Sequence, residues 1–76
     1  MQVYNRIREI IREVAGLSEQ EIRNESRLEQ LHLDSLDMAE VIMDVEEEFD
    51  VLVEDEAEIH TVNDLVMLVN AQLAAI

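Results

Sequence analysis

Hydrophobic residues recur at helical spacing at the beginning of the chain. They lie three or four positions apart with charged residues between them: Val3, Ile7, Ile10, Ile11 and Val14. Such spacing places apolar side chains on one face of an α-helix. Gly16 follows at the position where a C-terminal cap is common. The segment is therefore predicted to be an amphipathic helix that ends near Gly16.

The pattern then loses a clean period between residues 17 and 33. Ser18 and Glu21 have the spacing of a capping box, so one short helical turn is possible there. Residues 24–26 have loop composition. This long first loop is predicted to be held against the core by three apolar side chains, Leu28, Leu31 and Leu33.

A second helix is predicted to begin near Asp34. Asp is a favourable N-cap, and Asp37 in the first turn suits the positive end of the helix dipole. The apolar stripe that follows is wider than one core face needs: Leu36, Ala39, Ile42, Met43, Val45 and Phe49. The stripe can be divided so that Ile42, Val45 and Phe49 face the core and Leu36, Ala39 and Met43 face outward. Taken alone, a helical Met such as Met43 is more often core filler.

The rest of the chain is predicted to contain one short helical turn and one further helix. Residues 50–54 break the pattern, and residues 55–59 have room for one helical turn. Thr61 with Asp64 is a helix-start signal, and the last amphipathic helix follows with Val62, Leu65, Val66, Val69, Leu73 and Ile76. The β-prone run 51–53 lacks a partner strand. The predicted fold is all-α, a small four-helix bundle in a single domain, 1–76, with three main helices, one short third helix and a long first loop.

Composition limits the class of protein. Hydrophobic residues form 49% of the chain and aromatic residues 3%, which predicts an aliphatic core. A lack of cysteine fits a reducing compartment. No apolar stretch is typical of a signal peptide or a membrane span. We expect a cytoplasmic monomer.

Charge is distributed unevenly along the chain. The net charge is −14, and all five Arg precede Leu28, together with five of the 19 acidic residues. The other acids, 19 − 5 = 14, follow without any Lys or Arg. Such a field repels nucleic acid and anionic membranes, and it steers basic partners toward the C-terminal two-thirds of the chain.

Ser35 follows Asp34 at the predicted start of the second helix. This position exposes a hydroxyl group beside free backbone N–H groups, which suit an attached phosphate. A serine in this position is ordinary when it stands alone, because most such serines only form local hydrogen bonds.

Three motifs in order make the chain resemble the acyl carrier protein family. Asp34-Ser35-Leu36 resembles the family's attachment motif, and residues 46–50 match the usual end of its second helix. Thr61-Val62 followed by Asp64 resembles the start of its fourth helix. The resemblance covers essentially the whole chain in order, length and charge.

The resemblance implies a carrier rather than an enzyme. A phosphopantetheinyl transferase would attach 4'-phosphopantetheine from coenzyme A to Ser35. The thiol of this arm would carry acyl groups as thioesters between enzymes of fatty-acid, polyketide or related lipid synthesis. The second helix would dock basic patches of these enzymes transiently, through Asp34, Leu36, Asp37, Glu40, Met43, Glu46 and Glu47.

The sequence departs from the family's pattern in three places. His32 stands where a Gly is usual, and Val53-Glu54 replaces a common Ile-Pro pair. The predicted third helix is about two residues shorter than usual. Because this helix helps to form the acyl pocket in the family, the departures suggest a specialised cargo or pathway.

The sequence also contains features of other functional classes. His32, Asp34 and Ser35 include catalytic-triad residue types, but neighbours at one helix start do not readily form a triad, and no G-x-S-x-G motif exists. A calcium loop with its glycine is absent, and no metal site is expected. An acidic interaction module without modification, and a peptidyl or D-alanyl carrier, stay open.

Overall fold

The computed structural model describes residues 3–16, 22–23, 25–31 and 33–74. This part of the chain contains three α-helices and two 3₁₀ turns. Helix α1 spans Val3–Ala15, α2 spans Ser35–Phe49 and α3 spans Val62–Ala74. The 3₁₀ turns span Leu28–Gln30 and Glu56–Glu58. The all-α class is confirmed, and the predicted short third helix is the single 3₁₀ turn Glu56–Glu58.

The helix ends follow local signals in the sequence. Gly16 ends α1 with a positive φ of 72°, a conformation that glycine adopts without steric cost. Its N–H donates to the carbonyl of Arg12 over 2.8 Å. Asp50 ends α2 in the left-handed region, and its N–H donates to the carbonyl of Glu46. The predicted capping box Ser18/Glu21 lies outside the described residues.

The start of α3 is a reciprocal cap. Thr61 Oγ1 accepts the N–H of Asp64 over 3.1 Å, and Asp64 Oδ2 accepts the N–H of Thr61 over the same distance. Asp64 Oδ2 also accepts the N–H of His60 over 3.0 Å. These bonds satisfy backbone donors just before and within the first turn of α3. The predicted start of the last helix at Thr61 is therefore confirmed.

One aliphatic core joins the three helices, because α1 packs against both α2 and α3. Its fully buried side chains come from every helix and from the first loop: Ile7, Ile11, Ile22, Val41, Ile42, Val45, Val62, Leu65 and Val69. Phe49 is only partly buried, and Leu73 is exposed although the pattern placed it on the apolar face of the last helix. Leu73 lies in the last turn of α3. Ile76 lies outside the described residues.

The long first loop is tied to the beginning of α3. The N–H of Leu28 donates to the carbonyl of His60 over 2.8 Å, and the N–H of Val62 donates to the carbonyl of Ser26 over 3.0 Å. These two bonds form a short antiparallel bridge. The predicted anchors of the loop are confirmed as buried: Leu28, Leu31 and Leu33.

The β-prone run 51–53 pairs with a side chain and not with a neighbouring strand. Val51 and Val53 are buried, whereas the Leu52 side chain points to solvent. The side-chain amide of Gln72 bonds both backbone groups of Leu52: the N–H of Leu52 donates to Oε1 over 3.0 Å, and Nε2 donates to the Leu52 carbonyl over 2.6 Å. A side chain of α3 thus replaces the neighbouring strand. Among the described residues, no helix is long and apolar enough to cross a membrane.

Candidate functional site

The start of α2 is fixed by Asp34. Its backbone is extended, and its Oδ1 accepts the N–H of Asp37 over 2.8 Å. Its carbonyl accepts the first bond of the helix from the N–H of Met38 over 2.9 Å. The predicted N-cap is therefore confirmed. Ser35 follows as the first helical residue, and it is exposed.

The surroundings of Ser35 favour an attached phosphate group. Met38 donates the first bond of the helix, so the N–H groups of Ser35 and Leu36 lie before the hydrogen-bonded turns. They point along the positive end of the α2 dipole. A phosphodiester on the Ser35 hydroxyl would lie beside these donors.

An apolar groove opens directly beside Ser35, and we call it the Ser35 groove. Its volume is about 340 Å³. The first loop, α2 and the turn Glu56–Glu58 form its walls: Leu28, Leu33, Asp34, Ser35, Met38, Glu56, Ala57, Ile59 and His60. An accessible hydroxyl next to an apolar groove fits an arm that ends in an aliphatic group. The residues present therefore fit 4'-phosphopantetheine and its cargo.

Several groove residues were not predicted from the sequence. Met38 lies about twenty positions before Ala57 and Ile59 in the chain, and the fold places all three on the lining of one groove. Met38 lies three positions after Ser35, so helical spacing alone could have placed it near the hydroxyl. His32, the departure closest to Ser35, lies outside the described residues.

Four predicted docking residues form one exposed row along α2, which we call the α2 strip. Leu36, Glu40, Met43 and Glu47 are separated by four, three and four positions, which keeps them on one helix face. Leu36 is 77% exposed and Met43 is 59% exposed. The opposite face carries the buried Val41, Ile42 and Val45. The division of the wide apolar stripe into an inner and an outer face is confirmed, although Ala39 is half-buried.

The other three predicted docking residues are less free of the fold, because two accept hydrogen bonds from backbone N–H groups and the third is half-buried. The Asp34 carboxylate caps α2, and Asp37 is half-buried in the first turn. Glu46 Oε2 accepts the N–H of Val53 over 2.9 Å, which links α2 to the segment that follows it. Glu46 therefore holds backbone as well as adding charge, whereas its neighbour Glu47 is exposed.

One arginine neutralises part of the acidic surface between α1 and α2. Arg6 Nη2 lies 2.8 Å from Glu48 Oε1, and Arg6 Nη1 lies 2.9 Å from Glu9 Oε2. The hydrogen bond to Glu48 is the main cause that raises the pKa of Arg6, followed by the bond to Glu9. Neither bond involves Glu40 or Glu47, which are both exposed on the α2 strip.

No group of three or more potential metal ligands occurs among the residues that the structure describes. The many acids are spread over the surface of α2 and the following segment. This arrangement offers basic protein surfaces a broad field.

Comparison with known proteins identifies the family. A family model described as a phosphopantetheine attachment site matches residues 5–69, which include Ser35 and the α2 strip. The acyl carrier protein of Lactococcus lactis subsp. cremoris strain MG1363 is 42% identical over 69 residues, which cover 91% of this chain and 94% of that protein. The chain belongs to the acyl carrier protein family.

Two other acyl carrier proteins are similar to this chain over almost the same length. That of Streptococcus thermophilus strain CNRZ 1066 is 41% identical over 69 residues, covering 91% of this chain and 93% of that protein. That of Streptococcus pneumoniae serotype 4 is 40% identical over 72 residues, covering 95% of this chain and 97% of that protein. Membership in the acyl carrier protein family makes covalently attached 4'-phosphopantetheine the cofactor of this chain.

Proposed function

We propose that the chain is an acyl carrier and that Ser35 Oγ is the attachment point of its arm. The proposal rests on the position of Ser35. This residue is exposed, is the first residue of α2 and borders an apolar groove. When bound, the arm supplies a terminal thiol that holds an acyl group as a thioester. The family match and the names of the relatives support this proposal.

In this proposal each residue near Ser35 has a defined task. Ser35 Oγ forms a bond to the phosphorus that carries the pantetheine arm of coenzyme A. The pyrophosphate bond of coenzyme A breaks, adenosine 3',5'-bisphosphate leaves, and the hydroxyl proton passes to a base of the transferase. The Asp34 cap holds the start of α2, and the helix N–H groups stabilise the negative phosphodiester. The apolar residues Met38 and Ile59 of the Ser35 groove shield an aliphatic cargo from water.

Intact-mass spectrometry tests the attachment point. The protein is incubated with coenzyme A and a broad-specificity phosphopantetheinyl transferase, and Ser35→Ala is treated in parallel. We expect one added phosphopantetheine in the wild type and none in Ser35→Ala. Ser26→Ala serves as the control: it also removes one serine hydroxyl, which accepts the N–H of Arg23, but it keeps the backbone carbonyl that bonds Val62. An unmodified wild type, or a modified Ser35→Ala, would disprove the proposal.

We further propose that the α2 strip docks the partner enzymes. Leu36 and Met43 offer exposed apolar contact, and Glu40 and Glu47 flank them with charge that complements basic patches. Asp34, Asp37 and Glu46 would add charge at the margins. Met43→Glu should weaken the transferase reaction, measured as kcat/KM, while the circular dichroism melt stays near that of the wild type. A collapsed circular dichroism spectrum would contradict the exposed placement of Met43.

We propose that residues 1–76 act as one carrier domain, which the single core of the described residues supports, and that this carrier has no catalysis of its own. We propose a monomer that meets its partners transiently in the cytoplasm, including enzymes of fatty-acid or related lipid synthesis. Light scattering across a range of concentrations tests the monomer, and a stable dimer would contradict it.

A further inference from the structure

A second groove lies between residues 52–59 and α3, and we call it the α3 groove. Its volume is about 600 Å³. The described residues that line it come from the segment after α2 and from α3: Leu52, Glu54, Asp55, Glu58, Ile59, Asp64, Met67, Leu68 and Gln72. None of these residues belongs to the α2 strip. Ile59 also lines the Ser35 groove, so it forms a wall between the two grooves.

Two exposed apolar side chains give the α3 groove its contact surface. Leu52 is 58% exposed and Met67 is 61% exposed. The backbone of Leu52 is held on both sides by Gln72, and Met67 Sδ accepts a hydrogen bond from Asn63 Nδ2 over 3.3 Å. These apolar groups therefore lie on ordered backbone, so a ligand would lose little affinity in ordering them.

Acidic side chains surround this apolar surface. The lining contains four acids, Glu54, Asp55, Glu58 and Asp64, and no Lys or Arg among the described residues. Asp55 and Asp64 use carboxylate oxygens as caps, for the N–H of Ala57 and for the start of α3 respectively. Glu54 and Glu58 are exposed at the rim. The charge of the groove therefore complements a cationic ligand with an apolar centre.

We propose that the α3 groove docks a basic amphipathic segment of a partner protein. An apolar side chain of that segment lies between Leu52 and Met67, and its Lys or Arg side chains pair with Glu54 and Glu58. Because the α3 groove shares no residue with the α2 strip, a partner held there can remain bound while an enzyme occupies α2. This docking does not require the arm on Ser35.

Two methionines allow a matched test. Met43 and Met67 are almost equally exposed, one on each surface. The probe is a labelled helical peptide with Leu on one face and Arg on the other, and binding is measured by fluorescence anisotropy. All variants carry Met43→Lys, which disables the α2 strip so that binding reports on the α3 groove. To this change we add either Met67→Lys or Asn70→Lys, because Asn70 is exposed on the same helix outside the lining and gives the same change of charge.

We expect Met67→Lys to weaken binding about tenfold, which corresponds to about 1.4 kcal/mol, and Asn70→Lys to change it less than about twofold. Equal losses from the two variants would overturn the proposal, since they would indicate attraction by net charge alone. A scrambled peptide of the same composition, without an apolar face, should bind weakly. Equally tight binding of the scrambled peptide would also overturn the proposal.

Amide chemical shifts of the wild-type protein locate the peptide without any substitution. We expect changes in residues 52–59 and 64–72 as well as along α2. Changes confined to α2 would overturn the proposal. The protein could instead associate with itself in a concentration-dependent way that Met67→Lys abolishes. The occupant of the α3 groove would then be a second copy of the chain, and the proposal of a partner segment would be overturned.

Discussion

The side-chain amide of Gln72 pairs with the backbone of Leu52 through two hydrogen bonds, of 3.0 and 2.6 Å. Gln72 lies in the last turns of α3, twenty positions away from Leu52. The pair closes the segment after α2 onto α3 and leaves the Leu52 side chain in solvent. A single amide thus fixes a stretch of chain that forms no helix or strand.

Replacing Gln72 should loosen this stretch. We expect Gln72→Ala to lower the free energy of unfolding by about 1 kcal/mol, because two partly exposed hydrogen bonds are lost. Gln72→Glu should also destabilise the fold, because it keeps an acceptor for the Leu52 N–H but faces the Leu52 carbonyl with an oxygen that cannot donate. Urea denaturation measures both. Asn70→Ala, an exposed change on the same helix, is the control, and an equal loss from it would contradict a specific role for Gln72.

Glu46 and Glu47 are neighbours that should behave differently. Glu46 accepts the N–H of Val53, whereas Glu47 is exposed on the α2 strip. Glu46→Ala should therefore lower the free energy of unfolding by about 1 kcal/mol, and Glu47→Ala should change it by less than about 0.5 kcal/mol. Each change removes one carboxylate, so the net charge is matched. Equal effects in urea denaturation would show that the Val53 bond adds nothing.

The cap of α3 should make stability depend on pH. The N–H of His60, and next that of Thr61, hold the pKa of the Asp64 carboxyl below its ordinary value. A pKa that is lower in the folded than in the unfolded state stabilises the fold above the unfolded value, about pH 4, and this contribution is lost as the pH falls through the folded value. The stability difference between wild type and Asp64→Asn should therefore be largest near neutral pH.

Denaturation at a series of pH values, followed by circular dichroism in dilute solution, measures this difference. We expect it to shrink as the pH falls below about 4. Glu40→Gln is the control for removing an exposed carboxylate from another helix. A difference between wild type and Asp64→Asn that stays constant across the series would contradict the cap as the source of the effect.

The net charge of −14 should make the fold sensitive to salt. Counterions screen repulsion among crowded acids, so the thermal midpoint should rise when magnesium chloride is added. Because the described residues contain no group of three potential ligands, sodium chloride at matched ionic strength should reproduce most of the rise. An unchanged midpoint would indicate that the acids are far enough apart to repel one another weakly.

Local signals in the sequence predicted the parts of the fold that depend on neighbouring residues. The N-cap Asp34, the terminal Gly16 and the Thr61/Asp64 start are all determined within about one helical turn. The outward placement of Leu36 and Met43 rested on a stripe too wide for one core face and, for Met43, mainly on the family resemblance. The sequence also predicted the family through the order of its motifs.

Contacts between distant residues were beyond such reasoning. The pairing of Gln72 with Leu52, the bond from Val53 to Glu46 and the bridge at Leu28 depend on how the helices pack. The Ser35 groove could not be outlined for the same reason, because its walls come from three separate segments. Periodicity gives the faces of one helix and carries no information on the orientation of a neighbour.

The bridge between the first loop and α3 has a consequence for folding order. It joins Leu28 to His60 and Val62 to Ser26, across almost half of the chain. We therefore expect the loop that leads into Ser35 to reach its final position only once the start of α3 is in place. Amide protons of Leu28 and Val62 should exchange with solvent at a rate set by unfolding of the whole domain. Attachment of the arm to Ser35 would then depend on the C-terminal helix. A chain that ends before residue 62 would contain Ser35 without the bridged first loop beside it.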